Sequence, residues 1–194
     1  MTTKIILLNG PPNSGKDTLA DRLELESEDV NRCSFKDPLY DLVAAAYDIS
    51  LGELLELCND RDKKEVCSYL LDGDSPRTAM IKMSERIIKP VFGKEVFGKL
   101  AAKQIANGCV NVFSDSGFTD ELPPLFDVVP WAEVLLVQIR GKGNFDGDSR
   151  DYLNRDEFYM SLSIDNTGTE EEFLDEAVRR IKGLGFLNTG GKSE

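Results

Sequence analysis

Along the chain, short aliphatic runs alternate with longer segments in which apolar residues recur every three or four positions. Lys4 to Asn9 ("KIILLN") holds an unbroken aliphatic run, Ile5 to Leu8, and is ended by Gly10, the pattern of a strand buried on both faces. From Lys16 to about Glu26, Leu19, Ala20 and Leu23 fall on one side of an amphipathic helix. "VNRCSF" (30–35) is a second short strand, and "PLYDLVAAAY" (38–47) a helix with Pro38 in its first turn.

Residues 50–107 carry helical periodicity with interruptions. Ser50 and Glu53 have capping-box spacing, and Ser75-Pro76 reads as a cap followed by proline at the first helical position. Lys89-Pro90 is expected to break that helix, and the next ends at Asn107-Gly108. "CVNVFSDSGF" and "AEVLLVQIRG" return to strand character, "GKGNFDGDSRDYLNRD" reads as a mobile loop, and "MSLSIDNTG" is a last short strand. "TEEEFLDEAVRRIKGLG" is a final helix with an acidic first turn, a basic last turn and a glycine stop. Strands separated by helices predict a three-layer α/β domain with a mostly parallel, five-stranded sheet and a helical insertion. One domain over 1–187 is expected, followed by a flexible tail, 188–194. Ligands of such folds bind at the carboxyl ends of strands, here Gly10–Thr18 and Ser114–Gly117.

Composition narrows the chemistry. The 194 residues include no histidine, so imidazole cannot serve as base, proton shuttle or metal ligand. Four cysteines lack CxxC spacing and read as reduced thiols. A net charge of −12 opposes nucleic-acid binding at long range, although a local basic patch can override the global sign. No apolar run reaches the length of a membrane span and the N-terminus lacks signal-peptide features, so a cytoplasmic protein without a membrane partner is the expectation.

Gly10 to Lys16 matches G-x-x-x-x-G-K. Backbone N–H groups from Asn13, Ser14, Gly15 and onward to Thr18 can form a nest for phosphate oxygens at a helix N-terminus. Lys16 is placed to reach the β- and γ-phosphates. Asp17 stands where the pattern usually has Ser or Thr. Either it ligates Mg²⁺, directly or through water, or it points away and Thr18 supplies the phosphate hydroxyl contact. Asp115, closing the "VNVFSD" strand, is the second carboxylate expected near Mg²⁺ or the acceptor, with an Asx-turn role as the alternative.

The run "LLNGPPNSGKDTLADRL" is similar to the phosphate loops of phage deoxynucleoside monophosphate kinases. "SFKDPLYDLVAAAY" and the ending "VLLVQIRGKGNFDGDSRDY…MSLSIDNTGTEEEFLDEAVRRI" also resemble that family. The resemblance implies a nucleoside monophosphate kinase-like fold, ATP and Mg²⁺ as co-substrates, and Lys16, Thr18, Arg140 and Arg150 near the transferring phosphates. It further implies an acceptor region over about 50–107, a lid over about 141–156, and Asp37, Arg77 and Ser116 at the acceptor. Two departures fall on the acceptor side. Gly117 replaces an expected arginine in "SDSGF", and "MIKMSERIIKP" replaces an expected glutamine and Gly-Thr. A monophosphate acceptor is already an anionic nucleophile, whereas a hydroxyl acceptor needs a carboxylate to take its proton. The lost arginine beside a retained Asp115 favours a hydroxyl, but the overall resemblance and the acidic net charge outweigh it, and the leading expectation is a deoxynucleoside monophosphate, in phage nucleotide metabolism within an infected bacterial host. The alternative is the hydroxyl of 5-hydroxymethyluracil in DNA, on which related phage kinases act. Arg77, Lys82, Arg86, Lys89, Lys94, Lys99 and Lys103 would then form a patch for the phosphate backbone. A third possibility is an NTP-binding module without transfer chemistry.

Overall fold

The computed structural model describes residues 2–60, 62–146, 148 and 150–187. Among these, five strands form one parallel sheet: β1 (Lys4–Asn9), β2 (Val30–Cys33), β3 (Val110–Ser116), β4 (Val134–Arg140) and β5 (Met160–Asp165), in the order β2-β3-β1-β4-β5. The expected α/β class with a parallel five-stranded sheet is the observed one.

The aliphatic run of β1 is doubly buried because its side chains alternate between two cores. Ile6 and Leu8 face α1 (Lys16–Glu26) and a C-terminal helix over Glu170–Gly183, packing with Leu19, Leu23, Phe173, Ala177 and Ile181. Ile5 and Leu7 face the opposite layer, with Phe35, Phe113, Leu125, Leu136 and Leu153. The C-terminal helix opens with a complete capping box, Thr169 with Glu172. From β1 the chain passes to β2 at one edge, returns to β3, then crosses to β4 on the other side of β1. The first strand therefore ends at the topological switch point.

The helical region has its own core. It comprises α2 (Asp37–Ala46), α3 (Leu51–Asn59), α4 (Pro76–Ile81), a π-helical stretch (Lys82–Ile88), α5 (Lys89–Phe92) and α6 (Val96–Ala102). Leu39, Val43, Leu54, Leu71, Met83, Ile88 and Phe97 pack together at its centre. Ser50 with Glu53 forms the expected capping box, and Ser75 caps α4.

The expected break at Lys89-Pro90 does not occur: the helix runs through Pro90 to Phe92. The Lys89 N–H bonds to the Ser84 carbonyl five residues back, and this wider turn relieves the clash a proline ring makes with the preceding turn. The following helix is also shorter than expected, ending at Ala102. The tail 188–194 lies outside the described residues.

Candidate active site

The phosphate loop is built from its glycines upward. Gly15 caps α1 with φ 97°, and Asn13 is also left-handed at φ 65°. These conformations turn successive N–H groups to one side, which makes the nest. A Cβ at Gly10 would lie 2.7 Å from the Ile139 carbonyl and 2.8 Å from Ser14 Oγ, so only glycine fits. Lys16 is buried, and its ammonium donates to the carbonyls of Gly10 and Pro11, each at 2.6 Å. Burial, then the like charge of Arg150, pulls its pKa down to about 8. The expected donor residues thus form one cradle at the end of β1, with Ser14 buried and Asp17 and Thr18 opening α1. Asn166, after β5, braces it by donating from Nδ2 to the Ser14 carbonyl at 3.0 Å.

Register carries Asp115 to the loop. A bulge between Leu7 and Asn9 pairs Asn9 with Ser116, which sets the end of β3 beside the phosphate loop. Ser114 Oγ donates to Asp17 Oδ1 at 2.7 Å. The Asp115 carboxylate accepts three bonds from the loop between β2 and α2: Ser34 Oγ (2.9 Å), Phe35 N–H (3.1 Å) and Lys36 N–H (3.0 Å). Asp115 therefore clasps that loop, turning Phe35 and Lys36 toward the ligand space. Ser116 lies outside the cleft lining: it is buried, and its hydroxyl donates to the Leu8 carbonyl at 2.8 Å. Asp37 is exposed and outside the cleft lining, whereas its neighbour Lys36 lines it.

Beside the phosphate loop lies a cleft of about 470 Å³ between that loop and the helical region. Phe35, Leu39, Tyr40, Met80, Phe97 and Phe118 give it an apolar, largely aromatic wall. Lys36, Lys64, Arg77, Lys89 and Arg150 line it with positive charge, and Asp115, Asp148, Glu85 and Glu121 with negative. Burial first, then Lys36, Arg77 and Arg150, holds the Lys64 ammonium below the ordinary lysine range. Lys36, Arg77 and Arg150, from three other segments, thus each lie close enough to repel Lys64.

Arg150 is where the lid expectation meets the missing arginine. Its guanidinium makes a two-point pair with Asp148, at 2.9 and 2.7 Å, and its aliphatic stem crosses Gly117. A Cβ on Gly117 would lie 2.9 Å from Arg150 Cβ and 3.0 Å from its Cγ and Cδ. Glycine at 117 thus makes room for an arginine delivered from another loop. Residues at the end of that loop are pinned. Asn9 Nδ2 donates to the Asp151 carbonyl and its Oδ1 accepts from Leu153 N–H, while Gln138 Nε2 donates to the Leu153 carbonyl. The expected lid over 141–156 is consequently tied down from Asp151 onward. Of the glycines expected to free that loop, Gly141, Gly143 and Gly147, Gly143 packs on the Pro12 carbonyl, Gly141 has φ 94°, and Gly147 lies outside the described residues.

Arg140 ends β4, on the side of β1 opposite Asp115. It is exposed, donates to Gln138 Oε1 at 3.1 Å, and lies 4.6 Å from the Tyr152 ring centre, away from the cleft lining. The expected basic patch is dispersed. Lys82 bonds both oxygens of Asp74, Lys99 pairs with Glu95 and Lys94 with Asp120, while Arg77 and Lys89 turn into the cleft. Sequence reading missed Lys36, Lys64, Asp148 and Glu121, none of which belongs to a spaced motif.

Neither a protein-family model nor a curated protein matches this sequence. Solved structures do match, over almost the whole chain. A protein from Chloroflexus aurantiacus assigned as a kinase has a TM-score of 0.52 at 14% identity, covering 97% of this chain and 100% of that one. A gluconokinase from Sinorhizobium meliloti has 0.48 at 13% identity, over 95% and 97% of the two chains. A sugar kinase from a Janibacter species has 0.44 at 12%, over 96% and 99%. The chain therefore shares with that Chloroflexus protein a three-layer α/β fold, here with a parallel five-stranded sheet. No helix among the described residues is long and apolar enough to cross a membrane.

Proposed function

We propose that the protein is an ATP-dependent phosphotransferase acting on a nucleoside monophosphate, with deoxynucleoside monophosphates as the leading class. The observation that carries this reading is the convergence of Lys36, Lys64, Arg77 and Arg150 on an aromatic-walled cleft beside the phosphate loop. Asp148 already pairs with Arg150 and Glu65 with Arg77, and an acceptor phosphate would place a further anion among these cations. A planar base suits the Phe35, Tyr40, Phe97 and Phe118 surroundings better than a polyol.

In this reading the Gly10–Thr18 loop holds the donor's phosphates. An acceptor phosphate oxygen attacks the γ-phosphorus in line, the bond to the β–γ bridging oxygen breaks, and ADP leaves with that electron pair. The acceptor is already anionic, so no general base is needed, and Lys16 and Arg150 stabilise charge on the transferring group. Asp115 serves by holding Lys36 in place. Mg²⁺ commonly takes one or two carboxylates with substrate phosphates, and no group of three acidic or thiol ligands occurs among the described residues. Asp17, exposed at the start of α1, fits that pattern. Asp115, with three bonds already accepted, does not. The ion would neutralise charge on the donor's phosphates.

The test supplies γ-labelled ATP and Mg²⁺ with each deoxynucleoside monophosphate, and separately with DNA containing 5-hydroxymethyluracil. Label in a deoxynucleoside diphosphate is the expected result. Label in DNA alone overturns the acceptor assignment, and label in neither leaves only the donor site standing.

A further inference from the structure

One carboxyl in the cleft is used neither by the donor site nor by the cation cluster. Glu121 closes a short 3-10 turn, Thr119–Glu121, a few residues beyond β3. It is 4% exposed, yet it belongs to the cleft lining. Among the described residues its nearest charged partner is Lys89, with Nζ 3.8 Å away, beyond hydrogen-bond distance. That ammonium is committed to Glu85 at 2.8 Å and rests over the Phe118 ring at 4.6 Å. A nearly buried carboxyl without a close donor is costly to the fold, and an apolar side chain would fill the place better.

The backbone around Glu121 is closely packed. A Cβ on Gly98 would come within 2.1 Å of the Glu121 carbonyl oxygen, so α6 meets the 119–121 turn backbone to backbone. Lys89 is placed by the π-helical stretch, whose extra residue per turn carries the helix past Pro90. Two unrelated segments thus bring an acceptor and a donor together on the wall of the cleft. Burial pushes the Glu121 carboxyl up to about 7, with Lys89 opposing and Asp115 and Glu85 reinforcing the shift. A ligand N–H directed at it would supply the missing partner.

We propose that Glu121 and Lys89 read the base of the nucleotide acceptor. The Glu121 carboxyl accepts an N–H of the base, and the Lys89 ammonium donates to the neighbouring carbonyl or ring nitrogen. Such a side-by-side donor and acceptor edge belongs to nucleobases, and the aromatic wall suits their faces. This inference rests on the nucleoside monophosphate reading, so its test separates the two.

Equilibrium binding of the four deoxynucleoside monophosphates and of base-less deoxyribose 5-phosphate is measured by calorimetry on the whole protein and on Glu121→Met and Glu121→Gln. In the unaltered protein at least one nucleotide binds about tenfold or more tighter than deoxyribose 5-phosphate. Glu121→Met loses that advantage, leaves deoxyribose 5-phosphate affinity unchanged, and does not lower the melting temperature, because it removes a buried carboxyl of similar volume. Glu121→Gln, nearly the same shape, changes the ranking among the four bases. If both variants keep the full advantage and ranking, Glu121 is not the reader while the acceptor assignment stands. If no nucleotide outbinds the sugar phosphate in the unaltered protein, both proposals fall.

Discussion

The phosphate loop and the cleft beside it share the carboxyl edge of the sheet, but they are assembled in opposite ways. The loop is local in sequence: Gly10 to Thr18 is one stretch between a strand and a helix, shaped by its own short-range contacts and braced from outside by Ser114 and Asn166. Lys16 reaches the carbonyls of Gly10 and Pro11, and Gly15 begins the helix. The cleft is long-range. Lys36 follows β2, Lys64 lies in the loop before α4, Lys89 opens α5, Glu121 follows β3 and Arg150 follows β4. The difference teaches where each part can vary. A nest of backbone N–H groups depends on conformation and tolerates few substitutions. A wall of side chains from five segments can change one residue at a time.

The sharpest way to probe the local half is Lys16→Ala. Phosphoryl transfer should fall by roughly 10²–10³ with the circular dichroism unchanged, since transition-state charge is lost while the strand and helix remain. Turnover close to that of the unaltered protein would take Lys16 out of the reaction.

The buried acid of the cleft gives the next effect, read as stability. The Glu121 carboxyl is raised from 4.5 to about 7 in the folded chain, so the folded state binds its proton more tightly. The stability this contributes is full below about pH 4.5 and is lost as pH rises through about 7, on the order of 3 kcal/mol. Denaturant titrations should show the unaltered protein losing ground to Glu121→Gln across that window. Parallel pH profiles for the two would show that Glu121 is not the group responsible.

Asp115→Asn joins the two halves. The amide replaces one oxygen among three donors, which should cost about 1–3 kcal/mol and raise the acceptor KM while ATP binding holds. Added Mg²⁺ should not restore it. A hundredfold fall in kcat at unchanged KM would instead make Asp115 a base and favour a hydroxyl acceptor.

A smaller effect is expected of Gly117→Val, whose side chain would displace the Arg150 stem. Transfer should drop about tenfold, with Gly117→Ala milder. Equal rates in all three proteins would separate Arg150 from the transferring phosphate. Least of all, Lys82→Ala removes a half-buried pair with Asp74 and should change stability by no more than about 1 kcal/mol. Its affinity for DNA and for nucleotides should be the same as that of the unaltered protein. A marked loss on DNA would revive the surface patch.

The sequence by itself determined the features whose physics is local. An aliphatic run buried on both faces, Gly10 spaced ahead of Gly15-Lys16, and capping residues at 50 and 75 each act within a few residues of themselves. Periodicity and spacing therefore reported β1, α1, the phosphate loop and the α/β class directly. Tertiary structure alone decided what depends on residues far apart in the chain. The pairing of Asn9 with Ser116 put Asp115 against Ser34–Lys36, and so made a clasp of a residue that read equally as a base or a metal ligand. The same register turned Ser116 into the sheet. The widened π turn carried a helix past Pro90, against the ordinary rule for proline, and so placed Lys89 beside Glu121. Gly117, read alone, is a lost arginine; beside Arg150 it is the space that an arginine from another loop requires, because side-chain volume is settled by three-dimensional neighbours and not by position in the chain.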